Sequence, residues 1–221
     1  MNLFDILGPI MVGPSSSHTA GAAKIGYVTR KLLGETPCVM EMYLHGSFAA
    51  TGDGHGTDKA LVAGVLGMQP DDENIPRSFE IAKHQNLKVK KSTIELRDAH
   101  PNTTLIKLTG VSGAKVEVEA SSLGGGRICV TGLDGMRTNF TGDYPTLIIR
   151  NEDRPGAVAR VAGILWDEKV NIATMQLYRD KKGGLAAMVI ESDQKISSVT
   201  VHTLKQVDGV VMVTYLDLYG E

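Results

Sequence analysis

The run TLIIRNEDRPGAVARVAGILWDEKVNIATMQLYRDKKGGLAAMVIE, residues 146–191, switches from strand period to helix period and back. Thr146 to Ile149 reads as a short strand. Asn151-Glu152-Asp153-Arg154-Pro155-Gly156 interrupts it, and Pro155 suits the first turn of a helix, where its missing N–H costs nothing. Val158, Val161, Ala162 and Leu165 then recur at i, i+3, i+4 and i+7, the inward stripe of an amphipathic helix that ends at Val170-Asn171. Ile172 to Arg179 and Leu185 to Glu191 are strands. Asp180-Lys181-Lys182-Gly183-Gly184 turns one into the other, which predicts a hairpin. Further on, Ser197 can cap a second helix with Val201 and Leu204 inward, and Asp208-Gly209 leads into a last strand, Val210 to Leu218. The order β-α-β-β-α-β is the ferredoxin-like arrangement.

Upstream the pattern changes. Asp5 to Val12 is a short apolar segment, and Gly13 to Thr19 predicts a polar loop. Ala22, Ile25, Thr29 and Leu32 share one face of a helix that ends at Gly34. Val39 to Leu44 is a strand, His45 to Gly56 a Gly-rich loop, and Thr57 to Leu66 a helix with Leu61, Val62 and Val65 inward. Arg77 to Gln85 predicts another helix. Strand-like runs follow at Leu87–Leu96, Thr103–Leu108, Lys115–Ala120 and Ile128–Val130, punctuated by Gly110, Gly113 and Gly124-Gly125-Gly126. This predicts an α+β protein whose first domain lays helices over one sheet. The polar stretch Asn139 to Pro145 is the expected boundary, giving domains at residues 1–143 and 146–221.

Composition narrows the function classes. Of 221 residues, 42% are hydrophobic and 22% charged, enough apolar surface to offset chain entropy, so wholesale disorder is excluded. Aromatics are only 5%, which leaves the core to aliphatic side chains and Met. Net charge is −2 and no long Lys/Arg block occurs. Lys88, Lys90 and Lys91 read as a solvated strand face, so nucleic acid is not an expected partner. No apolar run approaches the roughly 18 residues that span a bilayer, so no membrane partner is expected either. The first basic residue is Lys24, which leaves the start without the positive region of a signal peptide and predicts a cytoplasmic protein. Cys38 and Cys129 sit in separate apolar runs and read as buried structural thiols. Two thiols cannot supply the three or four that hold an iron–sulfur cluster.

Three loops stand out. Gly13-Pro14-Ser15-Ser16-Ser17-His18-Thr19 crowds hydroxyls and an imidazole at the start of a helix, where free N–H groups and the dipole suit a carboxylate or phosphate. It lacks the Gly-Lys-Ser/Thr ending of a P-loop. Capping by Ser17 or Thr19 explains one hydroxyl, not three serines and a histidine. Thr51-Gly52-Asp53-Gly54-His55-Gly56-Thr57-Asp58 lets the backbone approach a ligand and leaves His55 little crowded; a flexible loop with a solvated histidine is the plain alternative. Its third glycine comes one residue early for a dinucleotide fingerprint. Ser121-Ser122-Leu123-Gly124-Gly125-Gly126-Arg127, with its three consecutive glycines, fits a hairpin loop or a bulge against a ligand or partner. His18, His45 and His55 form no close-spaced pair, so a metal triad is not expected, and no metal site is assigned to this chain.

The stretch Gly13 to Gly21, the stretch Thr51 to Asp58, and Gly124-Gly125-Gly126, in this order and spacing, resemble the β chain of bacterial iron–sulfur-dependent L-serine dehydratases. The last third resembles an ACT domain, with Asn151, Asp153, Arg154, Pro155 and Gly156 in that family's first strand–helix loop. The resemblance implies an N-terminal α/β domain of the serine dehydratase beta, or allosteric-substrate-binding, type followed by a ferredoxin-like ACT domain. It implies the conversion of L-serine to pyruvate and ammonia with a 4Fe–4S cluster held by a separate alpha subunit, not by this chain. His55 is then the expected base and His18 its alternate. Ser15, Ser16, Ser17, Thr19, Thr57 and Asp58 are the expected substrate-binding residues. L-serine is also the expected effector at Asn151, Asp153, Arg154, Pro155 and Gly156, and the ACT module is expected to self-associate. A related domain in some phosphoglycerate dehydrogenases serves as a regulatory anion site, so a non-catalytic small-acid binder is the competing class. A self-sufficient metal lyase using the histidines is the third.

Overall fold

The computed structural model describes residues 10–218, and the chain divides into two units after Gly135. The expected apolar segment from Asp5 lies outside the described residues up to Pro9.

In the first unit a π-helical turn, Ser16–Gly21, runs straight into α1, Ala22–Leu33, which ends at Gly34 in the left-handed region (φ 76°). Then follow β1 (Pro37–Leu44), α2 (Gly46–His55), α3 (Thr57–Val65), a 3₁₀ turn (Ile75–Arg77) and α4 (Ser78–His84). The strands β2 (Lys88–Thr93), β3 (Thr103–Gly110), β4 (Lys115–Gly124) and β5 (Arg127–Leu133) complete it. Within this unit the strand order is β2-β1-β3-β4-β5, with β1 and β2 parallel and the other pairs antiparallel. Ile25, Leu32, Met40, Met42, Leu61, Ile106, Leu108 and Ile128 are buried between helices and sheet. α1 and α3 approach at Gly26 and Gly64. A Cβ on Gly64 would lie 2.0 Å from Ala23 O, and one on Gly26 would lie 2.2 Å from Leu61 O. Only glycine admits this backbone contact.

Two expected loops are helical. The polar loop Gly13–Thr19 is largely the π-helical turn, capped by Ser15, whose Oγ accepts His18 N at 3.1 Å. The Gly-rich loop His45–Gly56 is α2 up to His55. Glycine lowers helix propensity by about 1 kcal/mol per residue, yet tertiary packing overrides it. Phe48 is fully buried, and Gly52 is buried beside Thr57. Gly56 (φ 67°) then breaks the helix and starts α3.

The first unit closes on the turn Asp134-Gly135, both at positive φ (47° and 78°). The second holds β6 (Met136–Phe140), a strand that the sequence pattern did not reveal, then β7 (Thr146–Glu152), α5 (Ala157–Asp167), β8 (Ile172–Arg179), β9 (Leu185–Ser192), α6 (Ser198–Lys205) and β10 (Val210–Leu216). The order β10-β7-β9-β8, all antiparallel, is the expected ferredoxin-like sheet. Leu147, Ile149, Val161, Leu165, Met188, Ile190, Leu204 and Val213 form its core. Val158 is exposed on the first turn of α5, so the inward stripe begins at Val161. β9 is buried on both faces from Ala186 to Ser192 because β6 packs against β8 and β9; Gln176 Nε2 donates to Asn139 O at 3.0 Å. No helix among the described residues is long and apolar enough to cross a membrane.

Candidate active site

Because α2 is helical, Ser47, Thr51 and His55 stand at i, i+4 and i+8, one stripe along the helix. His18, from the π-helical turn, lies against that stripe. Its Nε2 is 3.1 Å from Ser47 Oγ and 3.1 Å from Thr51 Oγ1. Its Nδ1 is 3.1 Å from Ser17 Oγ and 3.5 Å from Ser15 Oγ. The ring stands edge-on to Phe48 at 5.3 Å between centroids, and 5.0 Å from the His55 ring. His55 Nδ1 donates to Thr51 O at 3.1 Å, and His55 Nε2 makes no hydrogen bond within the described residues. Thr19 Oγ1 donates to His55 O at 3.2 Å, tying the two segments together.

Burial lowers the pKa of His18 below its ordinary value, and the neighbouring His55 adds to this; a hydrogen bond to the Ser47 backbone acts the other way. His18 is therefore kept neutral, as a hydrogen-bonding imidazole between two sets of hydroxyls.

The third loop joins the same place. Gly125 (φ 61°) and Gly126 (φ 75°) make the β4–β5 turn, and Gly125 N donates to Ser16 Oγ at 3.3 Å. Ser122 Oγ is buried with no hydrogen-bond partner among the described residues and lies against Gly21, where a Cβ would meet it at 2.0 Å. Thr57, at the start of α3, is fully buried, and its Oγ1 likewise has no partner there. Asp58 accepts Lys91 Nζ at 2.9 Å and Lys59 N at 2.8 Å. Thus the structure brings together Ser15, Ser16, Ser17, His18, Thr19 and His55, sets Thr57 beneath Gly52, and engages Asp58 with lysines. His45 stands apart from this network: its Nδ1 takes the N–H of Leu96 at 3.2 Å. Sequence reading placed Thr51 and Ser122 within candidate loops but gave neither a role, and it passed over Ser47. The 47-51-55 spacing was the available signal, legible only once the segment is recognised as a helix.

A cluster does not fit the residues described. Cys38 lies on β1 and contacts Gly110 O at 3.3 Å; Cys129 lies on β5. Among the described residues no three His, Cys, Asp or Glu stand close enough to hold a metal ion.

In the second unit the β7–α5 loop holds Asn151 buried, with Nδ2 donating to Glu152 O at 2.7 Å and Oδ1 unpaired among the described residues. Asp153 Oδ2 accepts Gly183 N at 3.0 Å and faces Arg179 at 3.4 Å. Arg154 pairs with Glu152 and, at 3.1 Å, with Asp208. Pro155 is exposed, and Gly156 (φ 85°) starts α5.

The second unit has the ferredoxin-like β-α-β-β-α-β fold, and the ACT domain family matches residues 145–209. The family described as serine dehydratase beta chain matches residues 2–132. A probable L-serine dehydratase beta chain from Bacillus subtilis is 38% identical over 96% of both chains. An L-serine dehydratase beta chain from Peptoniphilus asaccharolyticus is 36% identical over 97% of both. D-3-phosphoglycerate dehydrogenase from Bacillus subtilis is 28% identical over 89% of this chain and 37% of its own. The chain belongs to the serine dehydratase beta-chain family.

Proposed function

We propose that this chain is the beta subunit of an L-serine ammonia-lyase, which releases pyruvate and ammonia from L-serine when joined to an alpha subunit. Family membership supports the substrate. The observation that carries the reading is the imidazole pair His18–His55, with ring centroids 5.0 Å apart, beside the hydroxyls of Ser15, Ser17, Ser47 and Thr51. The 4Fe–4S cluster of this family would be held by the partner, because the described thiols here do not fit one. The assembly is assigned to the reducing cytoplasm.

This chain's own part is binding and proton transfer. The hydroxyls of Ser15 and Ser16 at the start of the π-helical turn hold the serine carboxylate, while those of Ser17 and Thr19 line the same place and brace His18 and His55. The unpaired Thr57 hydroxyl is a further donor. His55 Nε2, with Nδ1–H anchored on Thr51 O, takes the proton from Cα. Loss of that proton and of the Cβ hydroxide gives aminoacrylate, which tautomerises to the imine and hydrolyses. Positioned acid–base groups contribute roughly 10²–10⁴-fold. His55→Ala, assembled anaerobically with the alpha subunit, is expected to lose turnover by about that factor while the complex still forms. Ordinary turnover by this variant overturns the assignment.

The ACT unit is assigned a regulatory role, with L-serine as effector and self-association through the domain. The buried, unpaired Asn151 Oδ1 supports an amino-group ligand in the loop formed by Asn151, Asp153, Arg154, Pro155 and Gly156. Calorimetry on the full chain is expected to lose one serine-binding event in Asn151→Ala. Identical heats in both proteins leave the unit a purely structural role.

A second reading is favoured by the phosphoglycerate dehydrogenase match: a non-catalytic subunit that senses small acids. Serine binding with no contribution of His18 or His55 to rate selects it.

A further inference from the structure

We propose that Thr51 is a positioning residue that fixes the two imidazoles in opposite tautomers, the proton on Nε2 of His18 and on Nδ1 of His55. The argument rests on what each oxygen can do. A carbonyl only accepts, so Thr51 O, 3.1 Å from His55 Nδ1, requires the proton on that nitrogen. The Thr51 hydroxyl has a single proton, and it goes to Ser47 O at 2.9 Å, another pure acceptor. Only lone pairs then face His18 Nε2 at 3.1 Å, so that nitrogen is the donor, with Ser47 Oγ at 3.1 Å as its second acceptor. His18 Nδ1 becomes the acceptor and takes the Ser17 hydroxyl. One residue thus reads both rings, one through its main chain and one through its side chain.

The other hydrogen-bonded histidines make the contrast sharper. His100 Nδ1 accepts Asn102 N at 3.1 Å, so that ring carries its proton on Nε2, whereas His45 Nδ1 lies between Leu96 N at 3.2 Å and Ile94 O at 3.3 Å. His55 is turned the other way from His18 and His100. The consequence is a division of labour. His18 has its basic nitrogen occupied by a serine, whereas His55 keeps a free basic nitrogen. On this proposal His55, not His18, is the base. The catalytic meaning rests on the proposed lyase reading; the tautomers do not.

The test is nitrogen NMR of the full chain with ¹⁵N-labelled histidine, above the pH at which the imidazoles titrate. One ring, identified by its loss in His55→Gln, is expected to show Nδ1–H, and His18 to show Nε2–H. Thr51→Val removes the hydroxyl but keeps the carbonyl. It is expected to move the His18 nitrogen shifts toward tautomer averaging and to leave the His55 pattern in place. Thr51→Ser is expected to restore His18. In the assembled enzyme the valine variant is expected to lower kcat about tenfold with a smaller change in KM, and serine to recover it. An Nε2–H signal on wild-type His55, a His18 spectrum unmoved by valine, or failure of serine to restore it overturns the proposal. If the tautomers are as stated but His55→Ala still turns over, the clamp stands and the lyase assignment falls.

Discussion

The segment around His18 and the loop around Asn151 handle polar groups in opposite ways. In the first unit, hydroxyls and imidazoles bond one another: Ser15 and Ser17 to His18, His18 to Ser47 and Thr51, Thr51 to His55. In the second, charged groups pair at the surface, Arg154 with Asp208 and Asp153 with Arg179, near a buried amide whose oxygen has no partner among the described residues. A hydrogen-bonded network around the two imidazoles holds one geometry before anything binds, even though Ser122 Oγ and Thr57 Oγ1 beside it are buried without partners among the described residues. A buried acceptor without a partner costs about 1–3 kcal/mol until something supplies a donor. The first arrangement suits chemistry, where atoms must be placed in advance. The second suits sensing, where binding must change the free energy of the site.

The contrast extends to the helices that carry these sites, and there the largest effect is expected. α1 positions the turn that bears His18, and it packs on α3 through glycine. In Gly64→Leu the new Cβ meets Ala23 O at 2.0 Å and Tyr27 N at 2.6 Å, both main-chain atoms. Overpacking against backbone is expected to cost at least about 3 kcal/mol. Urea titration read by the His18 signals checks it; a midpoint unchanged from wild type would show that the helices can separate freely.

A smaller effect is expected from pH, at the imidazole site of the first unit. The pKa of His18 is lowered by folding, so the unfolded chain binds a proton more readily than the folded one. The stability that depends on neutral His18 is present above its unfolded value of about 6.5 and is lost as pH falls below it. His18→Asn is expected to flatten this dependence of the urea midpoint between pH 7 and 5. A pH dependence left unchanged in His18→Asn contradicts the burial argument.

Legibility in the sequence followed the same division. The second unit was readable because its strands and helices keep clean periods and its turns carry Gly and Asp; the observed β7 to β10 follow the expected runs within a few residues. The site of the first unit was readable as residue types but not as geometry. Four glycines between His45 and Thr57 argued for a loop, and only the buried Phe48 and Gly52 show why a helix forms instead. Ser47 and Thr51 therefore looked like loop residues, although their spacing to His55 is helical. The strand β6 escaped because Asn139 looked like the start of a polar linker. Its packing against β8 and β9, far downstream in the chain, leaves no mark in a short window.

The smallest effect reverses the sign of the largest. Gly163 lies within α5, exposed, and a Cβ there meets nothing within 4 Å. Its backbone is already helical, so alanine fits without strain. The substitution restricts the unfolded chain and is expected to stabilise by about 0.4–1 kcal/mol. Thermal unfolding of Gly163→Ala against wild type measures it. A rise in midpoint confirms that the helix carrying the ACT loop is open on that face, in contrast to the closed glycine contact of α1 and α3. A loss of stability there means that the outer side of α5 is covered when the protein is assembled, and the comparison between the two helices then has to be redrawn.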